Sequence, residues 1–394
     1  MDDIRVLNLK LNSLAVFRNL LSLPVISELE KLTSVIEDPV ESVKLYTKFI
    51  SVLYHNCDNF SEFLYKSVLE DDNFYIRAVA RGEEVDRVIK TAVRNELILI
   101  QEISLLSSRE LKSHIKYDGY LPDWNTAECD FVSSYEERLK SIAEIGIGMF
   151  SRHNVFKLSG EEIVPVKYPD NISLSDFECY GREREPIIKN TKALLEKGEA
   201  SNVLLYGEAG TGKSSTVKAI ANHFKDKGLR LVEVKKKQLH RLPAVFEQLA
   251  GNPLKFIVFI DDLSFNESDD DFTALKACLE GNVSAGAGNV VIYATSNRRH
   301  LVRERYSDRE GDELHVGDSL QEAIGLSARF GLTVTFEKPG KDDYLQIVRH
   351  FAKECGIEPD KQLMAGAEAY AIRNNGRSPR TARQFIELQK SEVY

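Results

Sequence analysis

The spacing of apolar residues differs between the N-terminal and C-terminal parts of the chain. In the N-terminal part it follows the period of an amphipathic helix, as at Tyr46, Ile50 and Leu53. A second, longer stripe of this kind runs over residues 83–107. The pattern predicts a mostly α-helical N-terminal domain over residues 1–150. Its stripes are most simply the core of a bundle, with a partner-binding groove as the alternative.

Residues 151–175 have a different pattern. Strand-like apolar runs near Val155 and Val164 are interrupted by Pro165 and Pro169. We therefore expect this segment to connect two domains.

Beyond residue 176, nearly continuous apolar runs alternate with helical patterns. This alternation is typical of an α/β fold, because parallel strands covered on both faces are apolar throughout. The five predicted strands are Asn202–Tyr206, Leu229–Val234, Phe256–Ile260, Val290–Thr295 and Leu332–Phe336. After Pro339 the pattern is purely helical. We expect an α/β core over residues 176–337 and a small helical domain over residues 338–394.

The strongest chemical signal is a glycine-rich loop that matches the phosphate-binding pattern G-x-x-x-x-G-K-[ST]. Its residues are Gly207, Glu208, Ala209, Gly210, Thr211, Gly212, Lys213 and Ser214, followed by Ser215. A predicted strand precedes the loop and a predicted helix follows it, as the motif requires. Glycines let backbone N–H groups wrap a polyphosphate, and the helix N-terminus adds partial positive charge. The loop predicts a nucleotide site in which Lys213 reaches the β- and γ-phosphates and Ser214 binds Mg²⁺.

Two carboxylates follow the predicted strand Phe256–Ile260. A strand buried on both faces delivers charge only at its end, into the crevice where ligands bind. We assign Asp261 to Mg²⁺, directly or through water, and Asp262 to polarising the attacking water. A solvated strand end is the alternative, and the phosphate loop favours the functional interpretation. The acidic run at residues 267–271 is expected only to begin a helix.

With the loop and the acid pair in this order, residues 170–394 resemble the AAA+ ATPases. They also resemble a bacterial family of unknown function that shares the AAA+ fold. The resemblance implies a five-stranded parallel sheet of order 5-1-4-3-2, a C-terminal helical lid, and ATP and Mg²⁺ as ligands. It also implies a homo-oligomer, as a ring or an arc, and an unidentified macromolecular partner, for which residues 1–150 are a candidate binding region.

The resemblance implies three further catalytic residues. Asn297, which follows the fourth predicted strand, resembles the sensor that orients the attacking water. Arg329 resembles the arginine finger that reaches the γ-phosphate of a neighbouring subunit. Arg380 resembles the sensor of the lid, since Ser378 and Pro379 predict a helix N-terminus just before it.

Other positions remain open or depart from the family pattern. Tyr180 and Gly181 resemble the segment that packs on adenine, and Arg383 is the alternative to Arg380. Many AAA+ proteins have Asp-Glu at the metal strand, whereas this chain has Asp261 and Asp262. The shorter acid resembles the replication-initiator and helicase-loader branch. It predicts slow or partner-stimulated hydrolysis, because Asp reaches one methylene less far.

Composition excludes some classes of protein. The 52 basic and 61 acidic residues give a net charge of −9, which excludes a histone-like nucleic-acid binder. Local basic residues at 235–237 and in the polar segment 297–318 leave DNA contact open. The five cysteines form no CxxC pair, which indicates free thiols in a reducing compartment. With no secretory signal and no apolar stretch long enough to span a membrane, we expect a cytoplasmic protein.

Three functional hypotheses follow. The first is an ATPase that hydrolyses ATP at subunit interfaces and remodels or loads a macromolecular partner. The second is a slow or non-hydrolysing nucleotide-gated switch or scaffold. The third is an ATP-dependent DNA-binding protein. The residue pattern does not name the partner, because function depends on individual sites rather than on the fold.

Overall fold

The computed structural model describes residues 2–263, 270–279, 288–297, 328–374 and 376–391. It divides the chain into two compact units, Met1–Arg152 and His153–Tyr394. Within the described ranges, every helix is too short or too polar to cross a membrane.

The first unit is a helical bundle, as its apolar stripes predict. Its helices are α1 (Asp2–Asn12), α2 (Pro24–Ser34), α3 (Pro39–Tyr54), α4 (Phe60–Glu70), α5 (Phe74–Ala80), α6 (Arg87–Ser104), α7 (Ser108–Ser113), α8 (Phe131–Lys140), α9 (Ile142–Ile145) and α10 (Met149–Arg152), with a 3-10 helix at Arg18–Ser22. Short polar side chains cap six of the helix N-termini by accepting a backbone N–H of the first turn. These caps are Asp38, Asn59, Asn73, Asp86, Ser107 and Asp130.

Aromatic side chains and one carboxylate organise the interior of the bundle. Trp124 packs edge-on against Phe49, with 5.3 Å between ring centroids, and its indole N–H donates to the Leu106 carbonyl. The buried Glu96 carboxylate accepts the consecutive backbone N–H groups of residues 15–17 at 3.0–3.1 Å. Because these N–H groups have no helical partner, the Glu96 carboxylate joins the end of α1 to α6.

The second unit contains a seven-stranded sheet of order β2-β1-β4-β5-β6-β3-β7. Its strands are β1 (Val155–Ser159), β2 (Glu162–Pro165), β3 (Val203–Gly207), β4 (Leu229–Val234), β5 (Lys255–Ile260), β6 (Val290–Ser296) and β7 (Leu332–Phe336). Among the described residues, the pairs within β1-β4-β5-β6-β3-β7 are parallel, and β1 and β2 pair antiparallel. The helices α11 (Gly181–Lys197), α12 (Lys213–His223), α13 (Leu242–Leu249) and α14 (Asp270–Leu279) connect the strands.

The expectation of a five-stranded sheet was wrong in the number of strands. The five predicted strands occur in the implied order 5-1-4-3-2, but β1 and β2 extend the edge beside β4. Both extra strands come from the segment expected to be a connection only. Pro165 suggested a break in regular structure, but it is the last residue of the edge strand β2. At that position the sheet needs no hydrogen bond from its backbone nitrogen, so a proline is tolerated. The β1–β2 hairpin is therefore part of the sheet.

Three helices follow β7 and form a separate small core, which corresponds to the expected lid. They are α15 (Lys341–Glu354), α16 (Lys361–Arg373) and α17 (Pro379–Lys390). The predicted apolar positions of α15 are buried against α16 and α17, namely Tyr344, Ile347, Val348 and Phe351. Ser378 caps α17 by accepting the N–H of Thr381, and Pro379 occupies its first turn. This places Arg380 in the first turn of α17, directly after the capped N-terminus.

Candidate functional site

The phosphate-binding motif folds as a tight loop between β3 and α12. Gly207, Gly210 and Gly212 have φ values of 145°, 84° and 90°, which other residues rarely adopt. A Cβ on Gly207 would collide with the Phe336 carbonyl of β7. A Cβ on Gly210 would lie 3.1 Å from Arg380 Cβ and from Ser378 Oγ. The glycines thus give the loop its shape and also its close contact with the lid.

Lys213 begins α12 and is held inside the loop. Its Nζ donates to the carbonyls of Gly207 and Glu208, both at 2.8 Å, and to Asn297 Oδ1 at 3.1 Å. Burial lowers the pKa of Lys213, and the nearby carboxylates of Asp261 and Asp262 partly oppose this effect. The ammonium group therefore lies in a low-dielectric site with hydrogen-bond acceptors placed for it.

Ser214 and Asp261 are brought together across the sheet. Ser214 Oγ donates to Asp261 Oδ1 at 2.6 Å, although 47 residues separate them. A hydroxyl and a carboxylate are the hard oxygen ligands that Mg²⁺ takes, usually with substrate phosphates completing its coordination. In the described ranges, no group of three or more His, Cys, Asp or Glu side chains forms a metal cage. The donor set fits Mg²⁺ bound together with a nucleotide.

Asp262 has an unusual backbone conformation for a residue with a side chain. Its φ is 54°, in the left-handed region, and its N–H donates to Thr295 Oγ1 at 2.9 Å. Its carboxylate accepts from Asn297 Nδ2 at 2.8 Å. Since Asn297 also accepts from Lys213, one amide links the lysine predicted to bind phosphate to the acid predicted to polarise water.

A cavity of about 730 Å³ opens beside these groups, within the range of about 300–1,000 Å³ that is common for ligand sites. Residues 209–210 and 212–215 of the loop line it, with Asp261, Asp262, Thr295 and Asn297 at the strand ends. The lid contributes Phe351, Pro379, Arg380 and Arg383. The fourth wall comes from Asp170, Asn171, Ile172, Asp176 and Phe177. The cavity therefore lies between the α/β core, the lid and the segment after β2.

Two aromatic rings of this cavity lie against arginines. The Arg184 guanidinium is 4.6 Å from the centroid of the Phe177 ring, and Arg383 is 4.6 Å from that of Phe351. Sequence reasoning missed both rings. Phe177 lies only three residues before Tyr180, at the beginning of the predicted α/β core, where no motif marks it. Phe351 read as one apolar position of a helix, and only the packing of the lid brings it to the site.

The segment that carries Phe177 is tied to α12 by polar side chains. Lys218 forms an ion pair with Asp170 at 2.7 Å. Asn222 Nδ2 donates to the carbonyls of Asp170 and Ile172, both at 2.9 Å. Because Lys218 and Asn222 are four residues apart on α12, one face of the helix that follows the glycine-rich loop also positions this wall.

Other predicted residues lie outside the cavity lining. Tyr180 packs on Phe336 and its hydroxyl donates to the Glu337 carbonyl, and neither it nor Gly181 lines the cavity. Thr211 is buried, and its hydroxyl donates to the Glu208 carbonyl within the loop. The Glu208 carboxylate instead forms an ion pair with Lys338 at 2.5 Å. These residues shape the loop and its surroundings.

Arg329 and Arg377 also lie elsewhere. Arg329 is half-buried just before β7 and does not line the cavity. Arg377 pairs with Glu368 of the lid, which holds the pKa of that carboxyl below its usual range. The acidic residues 267–269 and most of the polar segment 297–318 lie outside the described residues, whereas α14, which the acidic run was expected to begin, is present.

Comparison with known proteins assigns the second unit to a family. Residues 151–393 match the family described as "Protein of unknown function (DUF815)". The chain belongs to this family. The match includes the whole seven-stranded sheet, and so the β1–β2 hairpin lies within the family's region.

Two further comparisons report proteins to which the DUF815 chain is similar. It is 28% identical to proteasome-activating nucleotidase 2 of Haloferax volcanii over 196 residues, which are 47% of this chain and 45% of that protein. The chain thus spans less than half the length of this relative. Two solved variant structures of RuvB from Thermotoga maritima have TM-scores of 0.39 and 0.38 at 16% and 17% identity, each covering 56% of this chain and 67% of that chain. The expected resemblance to an AAA+ family is confirmed, and the coarse assignment is an ATP-binding protein with the α/β P-loop fold.

Proposed function

We propose that this chain binds ATP with Mg²⁺ in the cavity between the core and the lid, and hydrolyses it slowly. The observation that carries the proposal is the hydrogen-bonded chain Lys213–Asn297–Asp262. It joins a cation suited to phosphate, an orienting amide and a carboxylate suited to water. If Lys213 and Asp262 formed only a structural ion pair, no amide such as Asn297 would be needed between the two charges.

Each part of the nucleotide has a partner in the cavity. The loop N–H groups and the N-terminus of α12 bind the phosphates, and Lys213 adds a positive charge. Phe177 and Phe351 offer apolar faces for the base, and Ile172 is a further apolar residue of the lining. Arg380, at the start of α17, adds a cation on the lid side, and Arg383 remains its alternative.

Ser214 and Asp261 would hold Mg²⁺, which when bound neutralises charge on the β- and γ-phosphates. Asp262 accepts a hydrogen bond from the attacking water and so orients it. Asn297 fixes the Asp262 carboxylate by donating to its Oδ1. The side chain of Asp is one methylene shorter than that of Glu, and this is the reason for expecting slow turnover.

We place the complete catalytic site between subunits of a homo-oligomer. Arg329 does not line the cavity of its own chain, which is what an arginine acting on a neighbouring subunit requires. Such an arginine contributes about 10³–10⁵ in rate when it acts on a γ-phosphate. The helical first unit is then available to bind the macromolecule that is remodelled or loaded.

The test is steady-state ATP hydrolysis measured over a range of protein concentrations. We expect a specific rate that rises with concentration, because subunits must assemble to complete the sites. Lys213→Ala removes the phosphate-binding cation and should abolish both nucleotide binding and hydrolysis. Arg349→Ala is the control, since Arg349 is exposed on α15 and does not line the cavity. Unchanged nucleotide affinity in Lys213→Ala would refute the phosphate-loop assignment.

A nucleotide-gated switch is the second candidate. The short side chain of Asp262 favours a switch. ATP binding depends on the phosphate loop, whereas hydrolysis depends on an acid that reaches the attacking water. A rate near zero at every concentration, together with measurable ATP binding, supports the switch over the ATPase. A search for proteins that bind the first unit then becomes the next experiment.

A further inference from the structure

Thr295 lies between the two strands that carry the chemistry of the site. It is the penultimate residue of β6, which pairs with β3 on one side and β5 on the other. The strand β3 leads into the phosphate loop, and β5 leads into Asp261 and Asp262. The Thr295 side chain is 2% exposed. Thr295 is therefore almost fully withdrawn from bulk solvent, at the lining of the cavity.

The polar atoms of Thr295 make three hydrogen bonds to the segment after β5. Its Oγ1 donates to Asp261 Oδ1 at 2.5 Å and accepts the Asp262 N–H at 2.9 Å. Its carbonyl accepts the Leu263 N–H at 2.7 Å. The Thr295 hydroxyl thus donates to the Asp261 carboxylate and accepts from the Asp262 backbone at the same time.

These bonds account for the geometry of both acids. Asp261 Oδ1 accepts from Thr295 and from Ser214 together, which fixes the rotation of its carboxylate. The bond from Thr295 to the Asp262 N–H holds that residue at a φ of 54°, where non-glycine residues are uncommon. In this conformation the Asp262 carboxylate meets Asn297 Nδ2.

We propose that Thr295 is a positioning residue that sets Asp261 for Mg²⁺ and Asp262 for water. The inference rests on the proposed function of the same site. It names a residue of the cavity lining whose hydroxyl acts through the two acids to which it is hydrogen-bonded. Partners that orient metal ligands in this way change metal affinity or activity by about 10- to 100-fold when they are removed.

Two substitutions separate the hydroxyl from the volume of the side chain. Thr295→Val keeps the shape and removes both Oγ1 bonds, whereas Thr295→Ser keeps the hydroxyl. Thr333→Val, on an exposed position of β7, is the matched control for the chemical change. Affinity for a fluorescent ATP analogue is measured in EDTA and then across a Mg²⁺ titration, and kcat and KM are measured at saturating Mg²⁺.

We expect Thr295→Val to keep its affinity in EDTA, because the loop still binds the phosphates. The Mg²⁺ concentration that gives the half-maximal gain in affinity should rise about 10-fold or more, and kcat should fall by a similar factor with KM little changed. Thr295→Ser should stay within about threefold of the wild type in both quantities. Thr333→Val should be indistinguishable from the wild type.

Several results would overturn the inference. These are an unchanged Mg²⁺ dependence in Thr295→Val, an equal loss in Thr295→Ser, and a loss of affinity in EDTA, which would show a role in folding instead. A wild-type chain that binds no nucleotide is a different result and rejects the proposed function itself. Wild-type binding with normal Thr295→Val behaviour rejects only the role of Thr295.

Discussion

Lys213 shows how opposing effects combine at a single residue of the site. Burial disfavours its charged form, while Asp261 and Asp262 favour it, and burial is the larger effect on its pKa. Backbone carbonyls and Asn297 satisfy the ammonium donors. A polyphosphate in the proposed site would supply the negative charge that these neutral acceptors lack, and so Lys213 would gain more from it than an exposed lysine does.

Phe177 carries a prediction about the base of the nucleotide. Phe177→Ala should weaken ATP binding about tenfold or more, since stacking of a base on an aromatic ring is worth roughly 1–3 kcal/mol. Binding of inorganic tripolyphosphate, which has no base, should not change. Calorimetric titration of both ligands measures the difference. Phe74→Ala is the control, because Phe74 is exposed in the first unit. Equal weakening for both ligands would place Phe177 in a structural role.

At the scale of elements, the sequence predicted where strands and helices lie better than it predicted which elements pack together. Most of the five core strands are nearly continuous apolar runs, and β7 alternates apolar residues with threonines, so their identification required no tertiary information. The strand β1 of the hairpin pairs with β4, and the partners Val155 and Leu231 are 76 positions apart in the chain. Nothing local in residues 151–175 indicates that partner, and so the segment read as a connection.

The same limit applies to the site. Loop glycines, Lys213 and the acid pair follow from spacing, because the chemistry requires those residue types at adjacent strand and helix ends. Thr295 was part of a predicted strand, but its hydroxyl acquires a role only when β5 lies beside β6. Phe351 likewise depends on how the lid packs. The residues that sequence missed are those whose role comes from non-local packing.

Glu96 carries the prediction at the element scale. Glu96→Ala leaves the N–H groups of residues 15–17 without their acceptor and should lower the free energy of unfolding of the first unit by about 3 kcal/mol. Urea denaturation followed by circular dichroism measures this loss. Glu102→Ala on the same helix is the control, since its ion pair with Lys10 is exposed and is worth less than about 1 kcal/mol. Equal losses in both variants would contradict this account.

At the scale of the whole molecule, the proposed role of Arg329 depends on a second chain. The residues of one chain supply the phosphate loop, both acids, Asn297 and Arg380 to the cavity, but not Arg329. If Arg329 acts on a neighbouring subunit, each active interface needs an intact loop from one chain and an intact arginine from the other. Closed or open assemblies of identical subunits provide such heterologous interfaces.

Mixing two inactive variants tests this division of labour directly. Arg329→Ala should bind ATP normally but not hydrolyse it, and Lys213→Ala should do neither. In an equal mixture of the two, about a quarter of random interfaces pair an intact loop with an intact arginine, and hydrolysis should return to about a quarter of the wild-type rate. Mixing Arg329→Ala with Arg329→Ala,Lys213→Ala is the control, because no interface in that mixture has the arginine. Activity that stays absent in the first mixture would place Arg329 outside the shared site, and loss of ATP binding in Arg329→Ala alone would give it a structural role in its own chain.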